Sequence, residues 1–314
     1  MKQIKIGSTN WEASSVILGI MRMSKVSAKE AATAVATAFE NGINYIDSAD
    51  MYSDGQAEIV FGQALKDSGV KREDLWLQSK GGIIPSKEQD SLYGGRYDFS
   101  KEHLLSSVDG ILKRMDVDYL DAYLLHRPDP LMEVDEIAEA FDLLQASGKV
   151  RHFGVSNFNP EQFKLLQSGL KQPLLINQLQ FSIMHTGMVD FGMHTNMTDA
   201  RSINHDGGLL EFSRRKGVTI QAWSPFQYGF FDGTFINNEK FPELNQLLAD
   251  LAEKYGVGKN AIATAWILRH PANMQVILGT MNPERIADSA AGGNVVLTKQ
   301  EWYDIYYAAG NDMP

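Results

Sequence analysis

The sequence predicts an α/β protein built on a TIM (β/α)8 barrel, with a β-hairpin before the barrel and an extra helix after it. Strand-like and helix-like segments alternate along almost all of the 314 residues, and eight strands are each followed by a helix. Strands 150–155 and 276–279 are short and apolar, as buried parallel strands are. A doubly wound open sheet is the alternative, but the turn 19–24 lacks the Gly-x-Gly-x-x-Gly pattern that such a fold would place there.

The elements can be placed in order from the N-terminus. Segments 3–6 and 10–13 flank Gly7-Ser8 and predict the hairpin. The capping box Ser27-Ala28-Lys29-Glu30 predicts the start of the first helix, which ends at Asn41-Gly42. The barrel strands are predicted at 15–19, 43–47, 75–80, 119–126, 150–155, 174–180, 218–223 and 274–279. The later helices are predicted at 56–67, 101–114, 133–147, 159–168, 207–216, 242–255, 258–269 and 283–291, with the extra helix at 298–309.

Composition narrows the class of protein and its partners. The net charge of −10 argues against nucleic acid or an anionic membrane as the main partner. The chain has no Cys, no signal-like N-terminus and no apolar run of about 18 residues, so we expect a cytoplasmic protein. No linker or change of composition divides it, so residues 1–314 are expected to form one domain, as a monomer or weak homo-oligomer.

Four residues that could take part in a chemical reaction stand at or just after three successive strand ends. They are Asp47, Tyr52, Lys80 and His126. Because successive parallel strands end on one rim of a barrel, these side chains are expected to converge. A Lys80 ammonium near the Tyr52 phenol would lower its pKa and make it a proton donor, with Asp47 holding Lys80 and His126 orienting a carbonyl. No side chain supplies a hydride, so a redox reaction would need a nicotinamide.

Each of these residues alone could have an ordinary structural role, and only their joint placement favours a shared site. Three long loops on the same rim, 81–99, 181–206 and 224–241, are rich in aromatic residues and Met and predict an apolar substrate pocket. The loop residues behind this prediction are Tyr93, Tyr97, Phe99, Phe181, Met184, Met188, Phe191, Met193, Phe226, Tyr228, Phe230 and Phe231. His185, His194 and His205 lack metal-ligand spacing, so no metal site is predicted.

The chain resembles the aldo-keto reductases along nearly its whole length. The segments that carry the resemblance are 41–52 (NGINYIDSADMY), 148–158 (GKVRHFGVSNF) and 282–286 (NPERI). Segment 124–129 (LLHRPD) is similar to a bacterial oxidoreductase branch without an assigned physiological substrate. The resemblance implies a catalytic tetrad at Asp47, Tyr52, Lys80 and His126.

The resemblance also implies that NADP(H) binds in an extended form. Ser156, Asn157 and Gln178 match the residues that hold the nicotinamide carboxamide, and Trp223 matches the aromatic residue that stacks on the ring. Ser224 begins the segment that resembles the pyrophosphate clasp. The segment from Gly279 and Thr280 to Arg285 opens a helix, and Arg285 could bind the 2′-phosphate.

One departure from the family pattern concerns cofactor preference. The family often has a Lys where this chain has Gly279, which weakens the expectation of a strong preference for NADP over NAD. The sequence also leaves open whether Arg22 approaches the pocket or only packs.

The expected activity is NADPH-dependent reduction of an aldehyde or ketone, with Tyr52 as the proton donor. Two other functions stay open at this point. One is a Schiff-base lyase that uses Lys80, and the other is a nucleotide-sensing interaction subunit of the same fold.

Overall fold

The computed structural model describes residues 1–85 and 94–314. Its strands are β1 (Gln3–Lys5), β2 (Glu12–Ser14), β3 (Val16–Gly19), β4 (Tyr45–Asp47), β5 (Trp76–Gly81), β6 (Ile83–Ile84), β7 (Arg96–Tyr97), β8 (Leu120–Leu125), β9 (Val150–Ser156), β10 (Leu174–Gln180), β11 (Thr219–Trp223) and β12 (Met274–Leu278). Its α-helices are α1 (Ala28–Glu40), α2 (Gln56–Ser68), α3 (Lys101–Met115), α4 (Val134–Ala146), α5 (Pro160–Gly169), α6 (Gly187–Met193), α7 (Leu209–Lys216), α8 (Pro242–Tyr255), α9 (Lys259–Leu268), α10 (Pro283–Ala291) and α11 (Lys299–Ala308).

Eight parallel strands close into a barrel, which confirms the predicted fold. The order around the barrel is β10-β11-β12-β3-β4-β5-β8-β9, so the sheet has no free edge. Each strand pairs with the next barrel strand in the chain, and β12 closes the circle against β3. The open-sheet alternative is therefore excluded.

The strand register brings polar residues of neighbouring strands to one level inside the barrel. Asp47 on β4 pairs with Gln78 on β5. On the opposite side, Gln178 on β10 pairs with Gln221 on β11, and Gln221 in turn pairs with Gln275 on β12. Since side chains alternate faces along a strand, register partners point the same way. This polar level lies directly below the strand ends that carry the candidate site.

The N-terminal hairpin covers the opposite end of the barrel. β1 and β2 are antiparallel, and the turn between them binds Thr219 at the start of β11 through Gly7 N, at 2.8 Å. Trp11 of the hairpin packs into the barrel interior and stacks on Tyr45, with ring centroids 5.8 Å apart. Covering this end leaves the C-terminal ends of the strands as the accessible mouth, where ligands bind in this fold.

Helix boundaries follow the sequence signals closely. Ser27 and Glu30 form the predicted capping box of α1, and buried alanines such as Ala31 and Ala38 let α1 approach the sheet. The extra C-terminal helix is α11, which begins with a second capping box at Thr298 and Glu301. The helices of the described residues include none that is long and apolar enough to cross a membrane.

The sequence missed three small elements in the long rim loops. The strands β6 and β7 form a two-stranded sheet within loop 81–99, and α6 lies within loop 181–206. Strand β4 also begins at Tyr45, two residues later than predicted. Tyr93, one of the proposed pocket residues, lies outside the described residues.

Candidate active site

Asp47 and Lys80 form a buried ion pair at the mouth of the barrel. Lys80 Nζ lies 2.7 Å from Asp47 Oδ1 and 2.8 Å from Oδ2, and Lys80 has no solvent exposure. Burial lowers the pKa of Lys80, but the charge of Asp47, together with Tyr52 and hydrogen bonds, outweighs it and leaves the pKa raised. Lys80 is therefore an ammonium ion at neutral pH.

Tyr52 lies against this ion pair, in the loop between β4 and α2. Lys80 Nζ is 5.3 Å from the centre of its ring. Burial raises the pKa of Tyr52, and although the charge of Lys80 and a hydrogen bond with it lower the pKa, the net direction is upward. The sequence-based expectation of a lowered pKa was wrong because removing the phenol from water disfavours phenolate more than one paired ammonium favours it. Tyr52 consequently keeps its proton over the whole neutral range.

His126 follows β8 and completes the group. Its ring meets that of Tyr52 edge-on, with centroids 5.8 Å apart. Burial, helped by the charges of Lys80 and Arg127, holds the pKa of His126 well below its usual value, so the ring is neutral. Its Nδ1 is buried without a hydrogen-bond partner in the described part of the chain. The structure thus brings all four predicted residues together.

Gln178 links this group to the predicted cofactor residues. Its Nε2 donates to Asp47 Oδ1 at 3.0 Å. The Oγ of Ser156 donates to the backbone oxygen of Gln178 at 3.0 Å and accepts from Asn157 Nδ2 at 2.8 Å. Ser156, Asn157 and Gln178 thus form one polar group beside the ion pair.

Asn157 also fixes the position of Trp223. Its backbone is in the left-handed region, with φ of 63°, and its Oδ1 accepts from Trp223 Nε1 at 3.1 Å. A left-handed conformation is uncommon outside glycine, although Asn tolerates it better than most residues. The indole of Trp223 is half-buried and lies 5.8 Å from the Arg127 guanidinium.

The loop after Trp223 begins at Ser224, whose φ is 52°. Phe230 and Phe231 of this loop are 64% and 52% exposed and lie against the Trp223 ring, with centroids 6.3 and 6.5 Å away. Other residues proposed for the apolar pocket instead pack into the core, so the pocket prediction was wrong for them. These core residues are Phe99, Phe181 and Met188.

The predicted phosphate-binding segment follows β12 on the same rim. Asn282 caps α10 by accepting from Arg285 N, and the Arg285 side chain is exposed. Arg22 lies against this segment and donates from Nη1 to the backbone oxygen of Gly279 at 2.8 Å. A Cβ at position 279 would lie 2.7 Å from that Arg22 nitrogen. The guanidinium of Arg22, which follows the neighbouring strand β3, therefore occupies the space that a side chain at position 279 would fill.

Three glutamines of the site were missed from the sequence. Gln78, Gln221 and Gln275 are fully buried and hydrogen-bonded below Asp47 and Gln178. Their signal was present, since each lies on a buried strand where a polar residue is unusual. It is visible only once the register shows that they face one another.

The sequence also matches a family model, described as the aldo/keto reductase family, over residues 15–308. The chain belongs to the aldo/keto reductase family. It is 34% identical to oxidoreductase YdhF of Escherichia coli over the full length of both chains. It is 33% identical to 6-dehydroglucose reductase of Agrobacterium fabrum, with 96% of each chain covered.

Solved structures agree with the barrel. A thermostable aldo-keto reductase, Tm1743, crystallised with the inhibitor epalrestat, superposes with a TM-score of 0.76 at 26% identity, covering 98% of this chain and all of that one. An aldo-keto reductase from Klebsiella pneumoniae, crystallised with NADPH, has a TM-score of 0.75 at 24% identity, covering 100% and 96% of the two chains. These likenesses agree on the fold, while the family match and the curated relatives place the protein in a family of oxidoreductases.

Proposed function

We propose that this protein is an NADPH-dependent carbonyl reductase that converts an aldehyde or ketone to an alcohol. The observation that carries the proposal is the group formed by Tyr52, the buried Lys80–Asp47 ion pair and neutral His126 at the mouth of the barrel. Such a group can deliver a proton to an oxygen while the carbon beside it is reduced. Family membership and the reductase among the 33%-identical relatives support the same reaction class.

Each residue has a separate role in this proposal. Tyr52 holds the transferable proton, and an alkoxide is a much stronger base than a phenolate, so transfer is downhill even with a raised Tyr52 pKa. The Lys80 ammonium stabilises the phenolate that remains, and Asp47 holds the ammonium in place. The neutral ring of His126 can hydrogen-bond to the carbonyl oxygen and orient it.

The residues present fit a nicotinamide cofactor. The side-chain oxygen of Gln178 accepts from no described residue, and Ser156 and Asn157 lie beside it, with Asn157 holding the indole of Trp223 through Nε1. The bound cofactor would supply the hydride, which no side chain can provide. Arg285, in the segment after β12, and Arg22, whose side chain bonds Gly279 of that segment, would contact its phosphates.

The protonation state of Lys80 favours this reaction over a Schiff-base lyase. A Schiff base needs a neutral amine as nucleophile, whereas the pKa of Lys80 is raised by Asp47 against the effect of burial. A nucleotide-sensing subunit would instead bind NADPH and reduce nothing, which the following experiment detects.

The proposal is tested by titrating the protein with NADPH and NADH while following tryptophan fluorescence, then assaying a panel of aldehydes and ketones with the tighter cofactor. We expect quenching by NADPH, since Trp223 would stack on the nicotinamide, and oxidation of NADPH that depends on the carbonyl. Binding without turnover across the panel would favour the sensing subunit. Borohydride trapping of a carbonyl on Lys80 without any cofactor would favour the lyase.

A further inference from the structure

A continuous chain of buried amides runs across the barrel below the candidate site. Gln275 Nε2 donates to the backbone oxygen of Ser14 at 2.7 Å, and Gln221 Nε2 donates to Gln275 Oε1 at 3.0 Å. Gln221 Oε1 accepts from Gln178 Nε2 at 3.1 Å. The chain therefore connects Ser14 of the hairpin to Gln178 beside the ion pair.

The upper end of this chain closes into a ring. Gln78 Nε2 donates both to Asp47 Oδ1, at 2.6 Å, and to Gln221 Oε1, at 2.8 Å. Gln178 Nε2 donates to the same two oxygens, at 3.0 and 3.1 Å. Both N–H bonds of each amide are thus used, with a carboxylate oxygen and an amide oxygen as the two acceptors.

The groups at the two ends of the network determine which way every amide faces. A backbone carbonyl and an ionised carboxylate can only accept hydrogen bonds. The oxygen of Ser14 therefore requires the NH₂ of Gln275, which leaves the Gln275 oxygen for the NH₂ of Gln221. The Gln221 oxygen then faces the NH₂ of Gln178. The carboxylate of Asp47 also requires an N–H donor from Gln178, so the two ends of the network give Gln178 the same direction.

Reversing any one amide would be costly because water cannot repair the mismatch. Gln78, Gln221 and Gln275 have no solvent exposure, and Gln178 is 3% exposed. A reversed amide would place two N–H groups or two oxygens against each other, and each buried unsatisfied group is destabilising. The network as a whole therefore has one favoured hydrogen-bond direction.

From this geometry we infer that Gln221 and Gln275 are positioning residues that make Gln178 present its oxygen, a hydrogen-bond acceptor, to the bound cofactor. With both N–H bonds used, Oε1 is the group that remains, and no described residue donates to it. The site then selects a ligand with an N–H donor at this point, such as a carboxamide, over one that has only acceptors. The inference rests on the proposed function, since it concerns the nicotinamide end of the cofactor.

The test compares the binding of NADP⁺ and of its 3-acetylpyridine analogue by isothermal titration calorimetry. The analogue replaces the carboxamide by a methyl ketone, which has no N–H to donate. We expect wild type to bind NADP⁺ about tenfold more tightly, as the loss of one hydrogen bond gives. Gln221→Met and Gln275→Met should lower the ratio of the two dissociation constants well below tenfold, although Asp47 Oδ1 still accepts from Gln178 Nε2 in both variants.

Two further variants separate positioning from general stability. Gln221→Glu in its protonated form can still accept from Gln178 and donate to Gln275, so it should keep the wild-type ratio. Gln172→Met removes a buried glutamine that bonds Asp142 and Gln145 outside the barrel interior, so it should also keep the ratio. If Gln221→Met does not fold, Gln275→Met alone provides the test. The Gln275 side chain hydrogen-bonds directly to neither Asp47 nor Gln178, so its replacement disturbs the site less.

The outcomes distinguish this inference from the proposed function. A wild-type ratio near one, or folded Gln221→Met and Gln275→Met proteins with the full wild-type ratio, would overturn the inference while leaving reductase activity possible. Selective binding that the Met variants reduce, without turnover of any carbonyl, would support the inference and contradict the reductase. A wild-type protein that binds neither dinucleotide would overturn both.

Discussion

Lys80 is a charged residue that tolerates complete burial because of its partner. Its ammonium lies within 2.8 Å of both oxygens of Asp47, which also accepts from the amides of Gln78 and Gln178. Removing one member of a buried ion pair leaves an uncompensated charge, which is usually worse than removing both. The pair is therefore a structural element of the barrel mouth as well as a part of the proposed chemistry.

Lys80→Met should lower the free energy of unfolding by about 3–5 kcal/mol, and Asp47→Asn by a similar amount, because each leaves a buried charge unpaired. The double variant should lose less than the sum of the two single losses, by about 1–3 kcal/mol. Urea unfolding of the four proteins at neutral pH measures this coupling. Strictly additive losses would show that the two groups do not compensate each other.

Arg22 is the cation that the sequence could not place. It binds the Gly279 carbonyl, and its charge has no carboxylate partner among the residues that the structure describes. Under the proposed function, Arg22→Ala should weaken NADPH binding roughly tenfold, as losing one charged phosphate contact does. Fluorescence titration against the Lys25→Ala variant, an exposed lysine of the same loop, provides the control. Equal NADPH dissociation constants for the two variants would show that Arg22 does not bind the cofactor.

At the scale of single residues, the sequence predicted which side chains come together better than it predicted their pKa values. Asp47, Tyr52, Lys80 and His126 could be predicted to converge because they lie at or just after the ends of three recognisable strands. The pKa direction of Tyr52 could not, since it depends on how much burial opposes Lys80. Gln78 and Gln221 were missed because their partners lie up to 143 positions away in the sequence.

At the scale of elements, the segment between β10 and α7 depends on the C-terminus. Tyr306 of α11 donates to Asp190 of α6 at 2.6 Å, and Arg201 bonds both Asp190 and Asn311. Helix α6 has no side-chain cap and contains Gly187 and Gly192, so its own sequence favours helix only weakly. This explains why α6 was not predicted, whereas the capped helix α1 was.

Tyr306→Phe should loosen this segment because it leaves the buried Asp190 carboxylate without its closest donor. Limited proteolysis followed by mass spectrometry should show faster cleavage within 187–202 than in wild type. Tyr307→Phe, which changes a neighbouring tyrosine that is 43% exposed, is the matched control. Equal cleavage rates for the two variants would mean that Asp190 is not what holds α6.

At the scale of the whole molecule, the alternating pattern was sufficient to predict the barrel. It predicted eight strands and their parallel order because apolar runs and helix caps are local signals. The pattern could not predict which loop residues line the mouth, since Phe99 and Phe181 were predicted to be pocket residues but lie in the core. Loop conformation depends on packing between distant segments, which one sequence does not reveal.

Histidines with lowered pKa values make the stability of the whole fold depend on pH. Burial and the charge of Arg214 lower the pKa of His270 to about 4, and its Nδ1 accepts from Ala272 N, which requires a neutral ring. Because the pKa of His270 is lower in the folded state, His270 contributes stability above its unfolded-state pKa near 6.5. This contribution is lost as the pH falls towards 4. The pKa values of His126, His152 and His185 are also lowered and act in the same direction.

His270→Asn keeps an acceptor near the position of Nδ1 but does not titrate. Between pH 7.5 and pH 5, its free energy of unfolding should therefore fall by about 1–2 kcal/mol less than that of wild type. Urea unfolding at the two pH values measures the difference. Identical losses for variant and wild type would show that His270 binds protons equally in the folded and unfolded states.

The most direct test of the proposed reaction is the rate of NADPH oxidation by Tyr52→Phe, measured by stopped flow with the best carbonyl of the panel. The phenyl ring keeps the contact with His126 but has no proton to give. We expect turnover to fall by a factor of about 100 or more while the NADPH dissociation constant stays within twofold of wild type. Turnover at the wild-type rate would contradict the assignment of Tyr52 as the proton donor.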